Sequence, residues 1–588
     1  MSHHGEGNGD ILSPRSKFYH GPYGRMFRNL PAHVPTIDLI DWSFFKGKLS
    51  DGLLDELKEF SRNFQDYQIA RLIEKLDELL SDENEALINT ELKRVVKEAL
   101  EDTDKGREAI LKLLALTMIE KGDLDQDNDN GNNDCIPAGY TYFSQYITHD
   151  ITFDPTSSLM RFNDPDKIRN FRTPRLDLDS LYGGGPLVSP FLYDRNKEFG
   201  KLLIGMNLNV SVKARNGVRI KKRFDQLNNN QLIDTLLTEE NDLPRNSQGS
   251  ALIGDPRNDE NVILKQLHLA FIKFHNKVLD DVLKRGVKGI QAFHEAQRLV
   301  RWHYQWIILD DLLPRLVSQE VLDEIWNLRK GQNTILPDEV GRQSDKAETR
   351  NSSECRNIPK LCFYQWRQQP FIPVEFAMAA FRFGHSMIRN NYKLNSQLER
   401  QSLTRLIHAG YLRENWTVQW DKFLNIKNSP EKPQASRKLN KNLSSSLGAI
   451  SSSSNRDGID NVAMRDLLRG YRLDLPSGQA VAHALGIPQK KILKGPELPL
   501  WCYILSEAGK FGIAENCEGK GGGYKLGPVG SRIVAEVIVG LVFGDSHSFL
   551  NVNPNWTPPY DSLGDKFELQ DILNYAGVPL TDKEFAAP

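Results

Sequence analysis

NVILKQLHLAFIKFHNKVLDDVLKRG, residues 261–286, spaces its apolar side chains three and four apart along its whole length. That is a helical period, and the run leaves so little polar surface that it reads as a buried or half-buried helix. The same period returns in QAFHEAQRLVRWHYQWIILDDLLPRLV (291–317) and in PVEFAMAAFRFGHSMIRNNY (373–392). Towards the N-terminus, LLDELKEF (53–60), IARLIEKLDELL (69–80) and AILKLLALTMIEKG (109–122) predict further helices that form an outer layer or cap. Strand-like alternation is scarce, LIGMNLNVSVKARNGVRIKK (203–222) being the best hairpin candidate. A mainly α fold with few short strands follows.

Composition narrows the function classes. In 588 residues, 39% hydrophobic and 26% charged side chains can build a sizeable core. Lys and Arg number 75 against 77 Asp and Glu, so a net charge of -2 provides no field for nucleic acid or an anionic membrane. A small-molecule partner is expected instead. The five cysteines are odd in number and never spaced CxxC, which predicts neither a disulfide framework nor a zinc site. No apolar run suits a signal peptide or a membrane span, so a cytoplasmic protein is expected. The acidic stretch DLDQDNDNGNND (123–134) reads as a loop; Asp125, Asp127 and Asp129 start like a calcium loop but lack its closing glutamate. The Ser-rich stretch 442–458 is followed at once by a helical pattern and reads as a loop inside one domain.

Four segments carry candidate chemistry. AGYTYFSQYITHDITFDPTSSL (138–159) places His149 beside Asp150 in an otherwise apolar or small run; the imidazole suits acid-base work, and the carboxylate is a hard ligand. A hydrogen-bonded core histidine would give the same pattern. RTPRLDLDSLYGGGP (172–186) sets Thr173, Arg175, Asp177 and Asp179 at alternate positions, as an oxygen cage for calcium or a polar turn would require. GDPRNDEN (254–261) puts Arg257 and Glu260 at the head of a buried helix, where an arginine needs an anionic partner or a developing charge. Arg382 and His385 lie among apolar residues that favour neutral, iron-binding imidazole.

Taken together and in this order, these segments resemble the animal-type haem peroxidases, the peroxidase-cyclooxygenase superfamily that includes myeloperoxidase and peroxinectin, and in particular a bacterial branch of it. The resemblance runs from about Pro137 to beyond Pro476. It implies a helical fold with haem b buried between central helices, an extended arm over 1–50, a helical cap over 51–123 and a catalytic domain over 135–588. It also implies a peroxidase that reduces hydrogen peroxide through a ferryl state and oxidises a small organic or halide substrate. His149 would be the distal histidine, with Gln145 one turn earlier and Arg257 the distal arginine. His385 would be the proximal iron ligand, Asp466 its partner, and Arg382 and Arg469 the propionate arginines. Calcium would be held by Asp150, Thr173, the Arg175 carbonyl, Asp177 and Asp179. Mammalian members tether haem by two esters; Thr148 replaces the first donor and Glu260 matches the second, so at most one link is expected. Asn261 stands where a sulfonium-forming methionine occurs, and that bond cannot form. A cyclooxygenase-like fatty-acid dioxygenase with a lipid substrate is the alternative, disfavoured because Arg382 occupies the place of its radical tyrosine while Tyr142 or Tyr146 remain within reach of the haem. A haem- and calcium-binding protein without catalysis is a third reading.

Overall fold

The computed structural model describes residues 22–40, 104–120, 131–164, 167–206, 240–326, 358–366, 368–450, 458–514, 521–560, 562, 564 and 566–581. The elements that position the site are, in chain order, α1 (Asp104–Met118), β1 (Asn132–Pro137), α2 (Gly139–Ile151), α3 (Val262–Lys284), α4 (Gly289–Trp306), α5 (Val374–Met378), β2 (Asn391–Tyr392), β3 (Gln401–Ser402), β4 (Ala435–Arg437), α6 (Val462–Arg472), α7 (Leu500–Phe511), α8 (Pro528–Gly544) and α9 (Leu569–Ala576). The architecture is mainly α, as the helical periods require. Among the described residues the sheets are two antiparallel pairs, β1 with β4 and β2 with β3.

Helix α3 is the centre of the packing and touches α2, α4 and α9. Its buried side chains lie on every face. Each buried Leu, Ile, Val or Phe contributes about 1.5–3 kcal/mol, so this packing rather than intrinsic helix propensity fixes the helix. Asn261 caps it, its Oδ1 accepting from the Ile263 amide at 2.8 Å.

Three expectations change. The run 373–392 is not one helix: Ala379 (φ -135°, ψ -73°) ends α5, and Ala380–Met387 continues as a tighter 3-10 segment. Arg382 Nε takes the Ala377 carbonyl at 3.2 Å, an acceptor that a continuous α-helix would give to the Phe381 amide. Residues 132–134, expected in a loop, begin β1, because β4 supplies a partner and the Asn133 amide donates to the Gly523 and Tyr524 carbonyls. Cys135 is disulfide-bonded, its partner lying outside the described residues, while Cys362 and Cys502 are free; cysteine spacing carries no information about pairs joined by tertiary approach.

The described part of the cap is core material rather than an outer layer. Ala109–Leu114 is buried, α1 packs on α6, and Tyr471 Oη donates to Asp104 at 3.0 Å. The described part of the arm is likewise pinned, with Glu375 accepting from the Met26 and Phe27 amides at 3.0 and 3.1 Å. Asp125, Asp127, Asp129, most of the 203–222 hairpin candidate and residues 451–457 of the Ser-rich stretch lie outside the described residues.

Candidate active site

Helix α2 is buried along nearly all its length, its half-buried positions being Gln145 and Thr148, one turn apart and beside His149. Thr148 spends its hydroxyl on the Ser144 carbonyl at 2.9 Å. His149 Nδ1 meets Asn258 Oδ1 at 2.9 Å. An amide oxygen only accepts, so Nδ1 carries the proton and Nε2 keeps its lone pair. Nε2 has no partner among the described residues. Burial, reinforced by the Arg257 charge, pushes the imidazole pKa down to about 3, which keeps this ring neutral.

Arg257 is fastened to Asp255 by Nε (3.0 Å) and one terminal nitrogen (2.7 Å), and the same nitrogen reaches the His149 and Thr152 carbonyls at 3.1 and 2.8 Å. It therefore clamps the C-terminal end of α2 to the turn before α3, and its guanidinium lies 4.6 Å from the centre of the Phe153 ring. Asp255 is fully buried, and Arg257 and Arg172 outweigh that burial to hold its carboxyl far below the usual range. Glu260 lies half-buried at the end of the same turn, within electrostatic range of Arg465.

On the facing side, His385 sits in the 3-10 segment, which packs against α2. Its Nδ1 lies 2.5 Å from Asp466 Oδ2 on α6. Asp466 is buried to 1% exposure and its other oxygen takes Arg382 at 2.5 Å. Burial alone would raise this carboxyl, but His385 and Arg382 outweigh it and hold the group below its usual range. Arg382 is thus engaged with Asp466, and Arg469, one turn further along α6, donates to Ser157 Oγ. His385 Nε2 has no partner among the described residues; its side chain is 34% exposed, and a Cβ added at the adjacent Gly384 would meet no atom within 4 Å. An anchored imidazole with a free nitrogen beside open space fits an axial ligand to haem iron.

A third cluster lies just beyond His149. Carboxylate oxygens of Asp150, Asp177 and Asp179 come within 4.8 Å of one another. Thr173 joins through Oγ1 on Asp177 (2.9 Å) and its amide on Asp179 (3.3 Å), whereas the Arg175 side chain turns to Asp545 at 4.0 Å and leaves only its backbone to serve. Burial and then the Asp177 charge raise Asp150 to about 7. Asp179 Oδ1 is buried without a hydrogen bond. Crowded, under-satisfied carboxylates of this kind suit a hard cation bound by oxygen. Arg172 ties this cluster to the histidine side, donating to Asp255 by Nε at 3.0 Å and standing 3.6 Å from Asp179.

Sequence reading missed Asn258, Asp255, Arg172 and His268. Asn258 and Asp255 sit in the same GDPRNDEN run as Arg257, so the signal was adjacency to a chosen residue. Arg172 likewise stands beside the chosen Thr173 in the run 172–186, whereas His268 carried no signal, because its partner is set by how α3 and the turn before it approach α2.

Two anchored imidazoles thus stand on facing helical segments, with a cluster of crowded carboxylates beside one of them. The sequence model for the animal haem peroxidase matches residues 88–493, more than half of the chain, and this chain belongs to that family. The match begins inside the segment expected to be a separate cap. Solved structures similar to this chain include peroxidase A from Dictyostelium discoideum (14% identity, covering 79% of this chain and 88% of that one, TM-score 0.49). Also similar are the fatty acid alpha-dioxygenases of Oryza sativa (13%, 77% and 74%, 0.48) and Arabidopsis thaliana (14%, 79% and 72%, 0.46). A search of curated proteins gave no match. No described helix is long and apolar enough to cross a membrane.

Proposed function

We propose that this chain is a haem-dependent peroxidase that reduces hydrogen peroxide and oxidises a small organic or halide substrate, with a structural calcium ion on Asp150, Thr173, Asp177, Asp179 and the Arg175 backbone. The observation that carries the reading is the pairing of a neutral His149, Nδ1 held and Nε2 without a partner among the described residues, with a His385 anchored on a carboxylate. Haem iron held by His385 would supply the electrons for O–O cleavage, and the protons fall to this chain. His149 Nε2 would take a proton from one oxygen of the peroxide and hand it to the other, which departs as water. Arg257 keeps a terminal nitrogen free among the described residues and faces the charge that separates as the bond breaks. Gln145, half-buried one turn from His149, lines the same approach.

The dioxygenase alternative needs a tyrosine at the reacting centre. Tyr146 is enclosed by Phe271, Tyr304 and His268, with ring centroids at 5.0, 6.3 and 5.8 Å, and Tyr142 packs on Tyr392 at 5.5 Å. Both are committed to packing. Rapid-mixing spectroscopy of the haem-loaded protein tests the proposal. His149→Ala is expected to slow the reaction with peroxide ~10²–10⁴-fold with haem content unchanged. An unaltered rate removes His149 from the chemistry, and peroxide-independent oxygen uptake with a fatty acid establishes the alternative.

A further inference from the structure

The N-terminal arm buries a phenol between the two walls of the site. Tyr23 is 2% exposed, and its amide donates to the Ile168 carbonyl at 3.0 Å in the loop that follows α2. The Gly24 amide donates to the Ile372 carbonyl at 3.0 Å, and its carbonyl accepts from the Val374 amide at 2.9 Å, where α5 leads into the 3-10 segment. A Cβ at Gly24 would fall 2.1 Å from the Phe371 ring, so this close approach depends on glycine. Arg25 adds a third anchor, donating to the Leu473 and Asp474 carbonyls at 2.8 and 3.1 Å past the end of α6. The backbone around Tyr23 is thus fixed, yet its hydroxyl is poorly served. Its hydrogen bond to Asn170 Oδ1 is 3.4 Å long, where a hydroxyl donor ordinarily sits about 2.7–2.8 Å from its acceptor. That oxygen already accepts from the Phe153 and Arg172 amides at 2.8 and 3.2 Å, which occupy both of its lone pairs. A buried tyrosine hydroxyl normally finds a better partner.

Three cations act on that hydroxyl, Arg257, Arg382 and Arg469, opposed by Asp154. Asp154 is committed to its own turn, accepting from the Thr156 and Ser157 amides at 2.9 and 3.0 Å. Burial, then the Asp154 charge, hold the phenol above its usual pKa, so it stays an O–H donor. Arg382 spends one terminal nitrogen on Asp466, but the other reaches only the Met378 sulfur at 3.7 Å. Arg257 keeps a terminal nitrogen without a partner among the described residues. Under-used donors from three parts of the chain call for an acceptor with several lone pairs and a negative charge, which a carboxylate supplies. We propose that Tyr23 is a haem-binding residue: its Oη donates to a haem propionate, which makes the arm a third wall of the cofactor site. The proposal rests on the haem reading above and extends it to a segment outside the residues 88–493 that the family model matches.

The test uses the full-length chain loaded with haem or with haem dimethyl ester, in which both carboxylates are capped. Tyr23→Phe keeps the ring and removes only the donor. Haem loss to excess apomyoglobin is expected to be about 10- to 100-fold faster in Tyr23→Phe, the scale for one hydrogen bond to a charged group. The two chains should lose the ester at rates within about threefold of each other, since capping removes the charge that strengthens the bond. The propionate bending band of the resonance Raman spectrum, which responds to hydrogen bonding, should shift in Tyr23→Phe. Equal rates of haem loss, an unshifted band, or equally accelerated loss of haem and ester overturns the proposal, the last outcome assigning Tyr23 to packing. Should Tyr23→Phe fail to fold, amide hydrogen exchange on the wild-type chain still decides. Residues 22–27 should exchange more slowly with haem than with the ester, and equal protection overturns the proposal. A wild-type chain that takes up neither ligand defeats the haem reading instead.

Discussion

The two sides of the site use one device with opposite partners. Each presents an imidazole anchored through Nδ1 with no Nε2 partner among the described residues, but His149 is held by a neutral amide and His385 by a carboxylate shared with Arg382. A neutral acceptor fixes the ring without adding charge, which suits the proton relay proposed for His149. A carboxylate draws the Nδ1 proton toward itself and raises electron density at Nε2, which suits a permanent bond to a metal. The burial follows the same division: His149 is buried, whereas His385 is half-buried beside open space. Identical residue types thus differ in both partner and burial.

The largest expected effect that would break this comparison is His385→Ala. Haem content of the purified protein should drop to background, measured by pyridine haemochrome, and full retention would place the axial bond elsewhere. Exchanging the partner rather than the ring sharpens the contrast. Asp466→Asn makes the facing side resemble the His149 side, and haem affinity should weaken about 10- to 100-fold, the scale for an outer partner of a metal ligand. Unchanged affinity by apo-protein titration would show that the carboxylate serves only Arg382.

The cation cluster comes next in size. Removing two carboxylates in Asp177→Ala with Asp179→Ala should abolish bound calcium by elemental analysis and cost about 2.7 kcal/mol of stability at calcium 100 times its Kd. Retained calcium at full stoichiometry would move the site. The remaining effect concerns acid, and for each ring it is comparable in size to the loss of calcium. Burial lowers the pKa of His268, His275 and His303 from 6.5 to about 4 each. The unfolded chain therefore binds more protons than the folded one below pH 6.5. Their contribution is complete above pH 6.5 and is lost as pH falls toward 4, about 3 kcal/mol for each ring. A denaturant midpoint that is flat between pH 7 and 4 would contradict this.

Much of the architecture was legible because apolar periodicity in 261–286 and 291–317 reports burial directly. The 373–392 run misled for a local reason: Arg382 takes a carbonyl from the helix ladder, and a hydrophobic pattern does not show that substitution. At the site, His149, Asp150 and His385 stood out as polar groups in runs of apolar or small residues, and Arg257 as an arginine at the head of a buried helix. Asp466 was reached through resemblance alone, and its place on both His385 and Arg382 depends on α6 crossing the 3-10 segment. Asn258 and His268 were invisible because an asparagine and a histidine in helical runs gain meaning only when α2 and α3 meet. Cys135 teaches the same lesson, since its pairing depends on chain segments far apart in sequence.

The measurement that tests the central claim most directly is an optical spectrum of the purified, haem-supplemented protein before and after one equivalent of hydrogen peroxide. The account predicts a Soret band that shifts on peroxide addition and returns when a small-molecule reductant is supplied. A Soret band indifferent to peroxide, or no band after haem supplementation, would contradict it.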